Sequence, residues 1–379
     1  MASESGLLRH VAALSRELPH RGSATPEERK GAEYVAAEMR KSGLAPSIEE
    51  FTSVSTFSWT YIAIYGLGLA GWLLGPLSLP AGLGAGLAGL ALFWLEVNTY
   101  TPLTALLPHR PSQNVIARVR PRGERAGTLV FTAHVDSSRS AWFFNPCRVH
   151  RFRSTFLLTT GAMALVPAAL LLGSAWPPLW LLGLPAAASL AFGIATLVDR
   201  EWRGVQVPGA TDNASGVAVL LGLAEALARE PPARTEVWLV ATGCEEVGHT
   251  GMKHLLRTHR GELRGARIVN IDHVGAGDVM IVSQEGMLLP RYRSDPVLLE
   301  AARRAGEPLG VRPRPFHIML NDSTAALARG CPAVGIMAMK GDCLLNWHWP
   351  TDTWEKVEPA NLERALAVAE GILRAVGGK

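Results

Sequence analysis

Several polar residues fall where hydrophobic runs stop, and their types suit metal binding or acid–base work. His134 and Asp136 follow the run 128–133 as His-Val-Asp, Asp212 sits in Gly-Ala-Thr-Asp-Asn-Ala-Ser-Gly, Glu245 and Glu246 follow the run 236–242, and Asp272 ends the run 267–271. His348 comes late, in His-Trp-Pro-Thr-Asp-Thr. Singly, each has an ordinary use: a strand-end histidine, a helix cap at Asp212, a solvated turn at Glu245 and Glu246. Jointly they supply two histidines and three carboxylates as ligands with two carboxylates to spare, which suits two divalent metals sharing a bridging aspartate.

The elements that must position these residues alternate. Leu7, Leu8, Val11, Leu14 and Leu18 lie near one helical face, and a second helix runs from the Thr25-Pro26 start signal to Gly43 with Ala32, Val35 and Met39 inward. Strand-like runs occupy 114–119, 128–133, 236–242, 267–271 and 333–337, with helical patterns at 217–229 and 359–376. Strands alternating with helices predict an α/β domain whose sheet is covered on both faces. Ligands in open α/β sheets gather at the carboxyl ends of strands, where these residues stand. The short 121–127 turn predicts that strands 114–119 and 128–133 are antiparallel neighbours.

With these motifs in view, the sequence resembles the co-catalytic zinc aminopeptidases of metallopeptidase family twenty-eight, whose relatives include glutaminyl cyclases and catalytically silent receptor ectodomains. The resemblance runs in order through HVDS, GATDNASG, CEEVGHTG, NIDHVG, CPAVGI and HWPTDT. It implies a three-layer α/β/α sandwich on a mixed, largely parallel sheet, two Zn2+ per chain and a peptide substrate. His134 and Asp272 would hold one zinc, Glu246 and His348 the other, and Asp212 would bridge them. Glu245 would be the general base and Asp136 would orient His134. Adjacent Glu245 and Glu246 project differently at a strand end, so one can ligate while the other reaches a metal-activated water. The chain departs from the family pattern at Asn321-Asp322-Ser323 and at His273, which puts the pocket chemistry of Asp322 in question but not the metals. Trp347 and Trp349 bracket His348 and are candidates for an apolar wall; His249 and His254 have no role in the family pattern and are assigned to structure. The leading expectation is an aminopeptidase. A glutaminyl-cyclase-like acyl transferase and a non-catalytic receptor or assembly protein on the same scaffold are the alternatives.

The chain has 379 residues, a formal charge of +4, 48% hydrophobic and 18% charged residues; the usual charged share is about 25%. The deficit argues against a purely soluble protein. Four blocks, 57–75, 77–95, 155–173 and 176–198, lack any Asp, Glu, Lys, Arg or His, and each is long enough to cross a bilayer. Turns near Pro76 and at 174–176 make them two hairpins, so the expectation is four spans interrupting one peptidase domain. The segments would be 1–56, hairpin 57–95, 96–154, hairpin 155–198 and 199–379. Arg40, Lys41, Arg148, Arg151, Arg153, Arg200 and Arg203 flank the spans while the hairpin tips carry no basic residue. That asymmetry predicts a cytoplasmic catalytic domain and cytoplasmic termini, in a bacterial inner (plasma) membrane. No secretory signal pattern opens the chain. Scattered basic residues form no stripe, so no nucleic-acid partner is expected. Four cysteines without a CxxC pair fit a reducing compartment. Both hairpins enter beside the metal-bearing strands, so the site is expected near the membrane surface, acting on membrane-proximal or amphipathic peptides.

Overall fold

The computed structural model describes residues 6–377. The described residues form two compact units, one from 6–55, 108–139 and 206–377 and one from Thr56–Leu107 and Ser140–Val205.

The first unit is built on nine strands: β1 Ser47–Ser53, β2 Arg110–Val119, β3 Gly127–His134, β4 Thr235–Thr242, β5 Arg267–Ile271, β6 Asp278–Glu285, β7 Tyr292–Arg293, β8 Arg312–Phe316 and β9 Ala333–Met339. They form one mixed sheet in the order β1-β2-β4-β3-β5-β9-β6-β7, with β8 paired to β6. Alternate side chains explain why helices cover both faces. Leu129, Phe131, Ala133, Val237, Leu239 and Ala241 point into a core shared with helices Gly6–Ala12, Pro26–Lys41, Ser215–Arg229, Pro296–Gly306 and Pro359–Val376. Val130, Trp238, Val240 and Ile268 point the other way, against helices Thr250–Thr258 and Asp322–Leu327. Helix Pro26–Lys41 starts where its sequence signals it: Thr25 caps Glu28 N, Pro26 takes the first turn, and Arg40 and Lys41 close the last.

The parallel pairings β4-β3, β3-β5 and β5-β9 are contiguous and hold the centre, and β6-β8 is also parallel. The other four pairings are antiparallel, so the sheet is evenly mixed rather than largely parallel. Strands β2 and β3 are not neighbours, contrary to the expectation from their short connection. β4 lies between them, antiparallel to β2 and parallel to β3. The cause is a contact between distant segments: the backbone N–H groups of Arg122, Gly123 and Ala126 donate to the carbonyls of Pro232, Ala233 and Arg234, so the connection crosses the chain entering β4 instead of closing a hairpin. β2 still runs opposite to β3, and its start lies beyond the carboxyl end of β4. Ser53 at the end of β1 faces Arg110 at the start of β2, and Arg139 bridges Gln206. Ser53, Arg110, Arg139 and Gln206 therefore all lie at the edge of the first unit where β3, β4 and β5 end.

The second unit is helical: Ser58–Leu74, Leu79–Glu96, Phe152–Ala175 and Leu184–Arg203, with a 3-10 segment at Pro177–Gly183. Three stretches, Leu79–Glu96, Val149–Ala175 and Pro177–Arg203, are long and apolar enough to cross a membrane, while the apolar helix Ser58–Leu74 is shorter at 17 residues. Gly71, Gly75, Gly82 and Gly86 let two helices meet backbone to backbone, since a Cβ on Gly71 would stand 2.7 Å from Gly86 N and one on Gly82 2.6 Å from Gly75 Cα. Such close approach through small residues at four-residue spacing is how helices associate in lipid. Trp72 and Trp180 stack at 4.5 Å. Leucines such as Leu77, Leu158 and Leu171 face outward.

Candidate active site

The sheet register brings the first three groups level. His134 faces Thr242 across β3 and β4, and Thr132 faces Asn270 across β3 and β5, so His134, the turn after Thr242 and Asp272 emerge together. Asp212 arrives on the loop before helix Ser215–Arg229, and His348 on the loop after β9. Asp136, Asp212, Glu245, Glu246, Asp272 and Asp322 are each no more than 5% exposed.

Within this cluster the two oxygens of Asp212 face different partners. Oδ1 lies 3.1 Å from His134 Nε2, which is 3.3 Å from Asp272 Oδ1. Oδ2 lies 3.1 Å from His348 Nε2, which is 2.8 Å from Glu246 Oε2. Ligand atoms about 2.0 Å from one tetrahedral ion stand about 3.3 Å apart, so both groups have metal-ligand spacing. Burial alone would lower the pKa of His134, but Asp272, Glu245, Asp136 and Asp212 outweigh it and hold it well above the ordinary value. Burial opposes His348 likewise, yet Glu246 and Asp212 raise it to about 9. Burial, reinforced by Asp272, Asp322 and Glu246 against His134, lifts Glu245 well above the usual carboxylate range. Buried carboxylates crowded this way call for cations. Glu246 Oε1 is buried without a hydrogen-bond donor. The donor set and its uncompensated charge fit divalent metals of the zinc type.

Asp136 sits beneath the cluster. Its carboxylate accepts from Glu245 N at 3.1 Å, Glu246 N at 3.2 Å and Ser23 Oγ at 2.7 Å, and lies 3.4 Å from His134 Nδ1. It thus leaves Nε2 of His134 facing the cluster and fixes the Glu245-Glu246 turn. Glu245 stands apart from the ligand pairs, with Oε1 3.0 Å from His249 Nδ1. A small cavity opens on the cluster. Asp212, Glu245, Glu246, Asp272, His273 and His348 line its polar end, and Phe316, Met319, Leu320, Met337, Leu344 and Trp347 its apolar end. Trp347 is buried and packs on the His348 ring at 4.6 Å. Trp349 is half-buried and does not line the cavity; Asp322 is buried outside it, accepting from Thr242 Oγ1 at 2.6 Å. His249 lies against Glu245, while His254 stacks on Phe51.

Four further positioning residues escaped sequence reasoning. Arg21 is fully buried and donates to the carbonyls of Leu14, Val135, Pro208 and Gly209, tying the His134 and Asp212 loops together. Asp352 accepts from Thr211 N at 2.8 Å and Asp212 N at 3.1 Å. Asn213 donates to Ile271 O and accepts from His273 N, so it brackets Asp272. Glu28 accepts from Cys244 N and Ser112 Oγ, both at 2.9 Å, behind the Glu245 turn. Asn213 and Asp352 stand inside motifs already singled out; Arg21 and Glu28 carry no local signal. Cys244, His249, His273, Asn346 and His348 all adopt left-handed backbone, a conformation that costs about 1–3 kcal/mol per residue and persists only where surroundings enforce it.

The model of peptidase family M28 matches residues 195–372. The fold is shared with solved structures of low sequence identity. The zinc aminopeptidase BSAP from Bacillus subtilis aligns at a TM-score of 0.59 and 16% identity, over 99% of this chain and 95% of its own. The aminopeptidase from Aneurinibacillus sp. strain AM-1 aligns at 0.57 and 14%, over 98% and 93%. The glutaminyl cyclase of Fimbriiglobus ruber aligns at 0.59 and 16%, over 98% and 94%. The family match spans Asp212, Glu245, Glu246, Asp272 and His348, so the chain is similar to peptidase family M28 over just under half of its length and is a metallopeptidase.

Proposed function

We propose that the protein is a membrane-anchored aminopeptidase that works with two zinc ions and removes apolar N-terminal residues from peptides. The observation that carries this reading is the division of Asp212: one oxygen faces His134 and Asp272, the other His348 and Glu246. His134 and Asp272 would hold one zinc, His348 and Glu246 the second, with Asp212 shared by the two groups. Bound zinc supplies Lewis-acid polarisation of the scissile carbonyl and acidifies water. Glu245, outside both ligand pairs, takes the proton of the attacking water and returns it to the leaving amine. Asp136 keeps the Glu245 turn and His134 in place. His273 lines the cavity with both ring nitrogens buried and unengaged, so it serves as the donor to the carbonyl oxygen as charge develops there. The apolar end receives the N-terminal side chain, and the carboxylate-rich end its amino group.

Four spans anchor the enzyme, with Ser58–Leu74 as the fourth. Seventeen residues extend about 26 Å against a hydrocarbon core of about 30 Å, a mismatch that local thinning accommodates. Basic flanks support a cytoplasmic peptidase unit. Membrane-proximal or amphipathic peptides are the favoured substrates, because Ser53, Arg110, Arg139 and Gln206 lie at the site-bearing edge of the sheet.

Glu245→Gln is the decisive variant. It should retain two zinc ions by elemental analysis yet lose about 10²–10⁴-fold in turnover on leucyl peptides in detergent. Near-normal turnover would remove Glu245 from the chemistry, and one tight metal with full activity would defeat the zinc pair. The cyclase fold match makes an N-terminal glutaminyl peptide a useful control, since ammonia release without peptide cleavage would favour acyl transfer.

A further inference from the structure

We propose that Glu245, His249 and Asp322 form a third cation site through which excess zinc inhibits the enzyme by capturing its general base. The inference rests on Glu245 having that role.

The ligand atoms of the three residues lie within 4.8 Å of one another, and all three residues are buried. His249 Nδ1 is 3.0 Å from Glu245 Oε1 and 3.8 Å from Asp322 Oδ1. These atoms are close without being bonded: neither His249 Nδ1 nor Asp322 Oδ1 takes part in a hydrogen bond, although both are shielded from water. Leaving a buried polar atom unengaged is costly, and here two converge on one carboxylate. The 3.0 Å His249–Glu245 spacing falls within the 2.8–3.3 Å contacts among the ligands proposed for the zinc pair, and the Asp322 oxygen stands farther off at 3.8 Å. One imidazole and two carboxylates are a zinc-type donor set.

Each donor is held in place by its own element. His249 N donates to Glu245 O at 2.8 Å, and His249 sits in left-handed backbone where helix Thr250–Thr258 begins, which turns its ring back toward Glu245. Asp322 opens helix Asp322–Leu327 behind an Asn321–Thr324 capping box, and its second oxygen is committed to Thr242 Oγ1. That leaves Oδ1 for the site. Of the three residues only Glu245 lines the cavity, so an arriving ion must pass the base and, once bound, occupies the oxygen that would accept the proton. Occupation of this site and proton transfer are then mutually exclusive.

The test is zinc titration of the purified, detergent-solubilised full chain by equilibrium dialysis, alongside peptide turnover and anomalous scattering from crystals grown at high zinc. Two tight ions should fill first, then a weaker third whose occupancy tracks the fall in turnover, with anomalous density among Glu245, His249 and Asp322. His249→Asn, chosen because Asn tolerates left-handed backbone, and Asp322→Asn should each weaken the third class by at least about tenfold while retaining the tight pair. Retention of the pair certifies that the variants fold. Two tight ions and no third class in the wild type, or a third class unchanged in both variants, overturns the site and leaves His249 as a neighbour that orients the base. A missing tight pair with the third class intact sinks the zinc-pair reading and spares this one.

Discussion

Replacing Arg21 by methionine tests whether the metal loops are held by a buried cation or merely packed around it. Arg21 donates to four backbone carbonyls, those of Leu14, Val135, Pro208 and Gly209. Methionine keeps the volume and removes every donor. Stranding four buried carbonyls costs roughly 1–3 kcal/mol each. Against this stands the relief of a buried charge: burial depresses Arg21 from the ordinary arginine value to about 10, which is worth about 3 kcal/mol. The balance is a loss of about 5 kcal/mol at the middle of that range, or roughly 10 °C of melting temperature at the 2 °C per kcal/mol typical of a large domain. Val135 adjoins His134 and Asp136, and Gly209 leads into Asp212, so metal retention should also fall by about 10–100-fold. Thermal unfolding in detergent and zinc retention under graded chelator read both. A melting shift under about 2 °C with unchanged zinc affinity would refute the argument.

Burial raises Glu285 to about 7, while Ser323 and Thr324 hydroxyls bond its oxygens. Its folded pKa lies above the unfolded one, so its contribution is fully present below about pH 4.5 and is lost as pH rises through 7, at a cost of about 3 kcal/mol by pH 8. Glu285→Gln should flatten that decline in a pH series of thermal unfolding; a wild-type curve already flat from pH 5 to 8 would contradict the assignment. His273→Ala should lower kcat by about 10²-fold with little change in KM, as expected for a donor used mainly in the transition state, and an effect confined to KM would make it a binding group instead. Gly82→Ile places a branched side chain against the backbone at Gly71 and Gly75, so it should impair membrane assembly while a leucine exchange at outward-facing Leu77 should not; equal yields of assembled protein would argue against the close helix contact.

Local chemistry made much of this protein legible before any coordinates. Helix Pro26–Lys41 follows from a threonine cap and a first-turn proline, the five central strands from runs of β-branched residues, and the apolar helices from composition alone, because each signal is a property of neighbouring residues. His134, Asp212, Glu245, Glu246, Asp272 and His348 stood out because polar residues interrupt hydrophobic runs at strand ends. Strands β6 and β8 were not singled out; β8, Arg-Pro-Arg-Pro-Phe, has a composition that resists a strand assignment. What only the tertiary structure decided depends on contacts between distant segments. The placement of β4 between β2 and β3 is set by the Arg122–Ala126 backbone meeting Pro232–Arg234, which no local pattern encodes. The division of Asp212 between two histidines, the grip of Arg21 on loops more than a hundred residues downstream, and the meeting of His249 with Asp322 likewise arise from sheet register and burial. A side chain's partners are chosen by the fold, and the free energy that makes a buried arginine or carboxylate tolerable exists only once those partners have arrived.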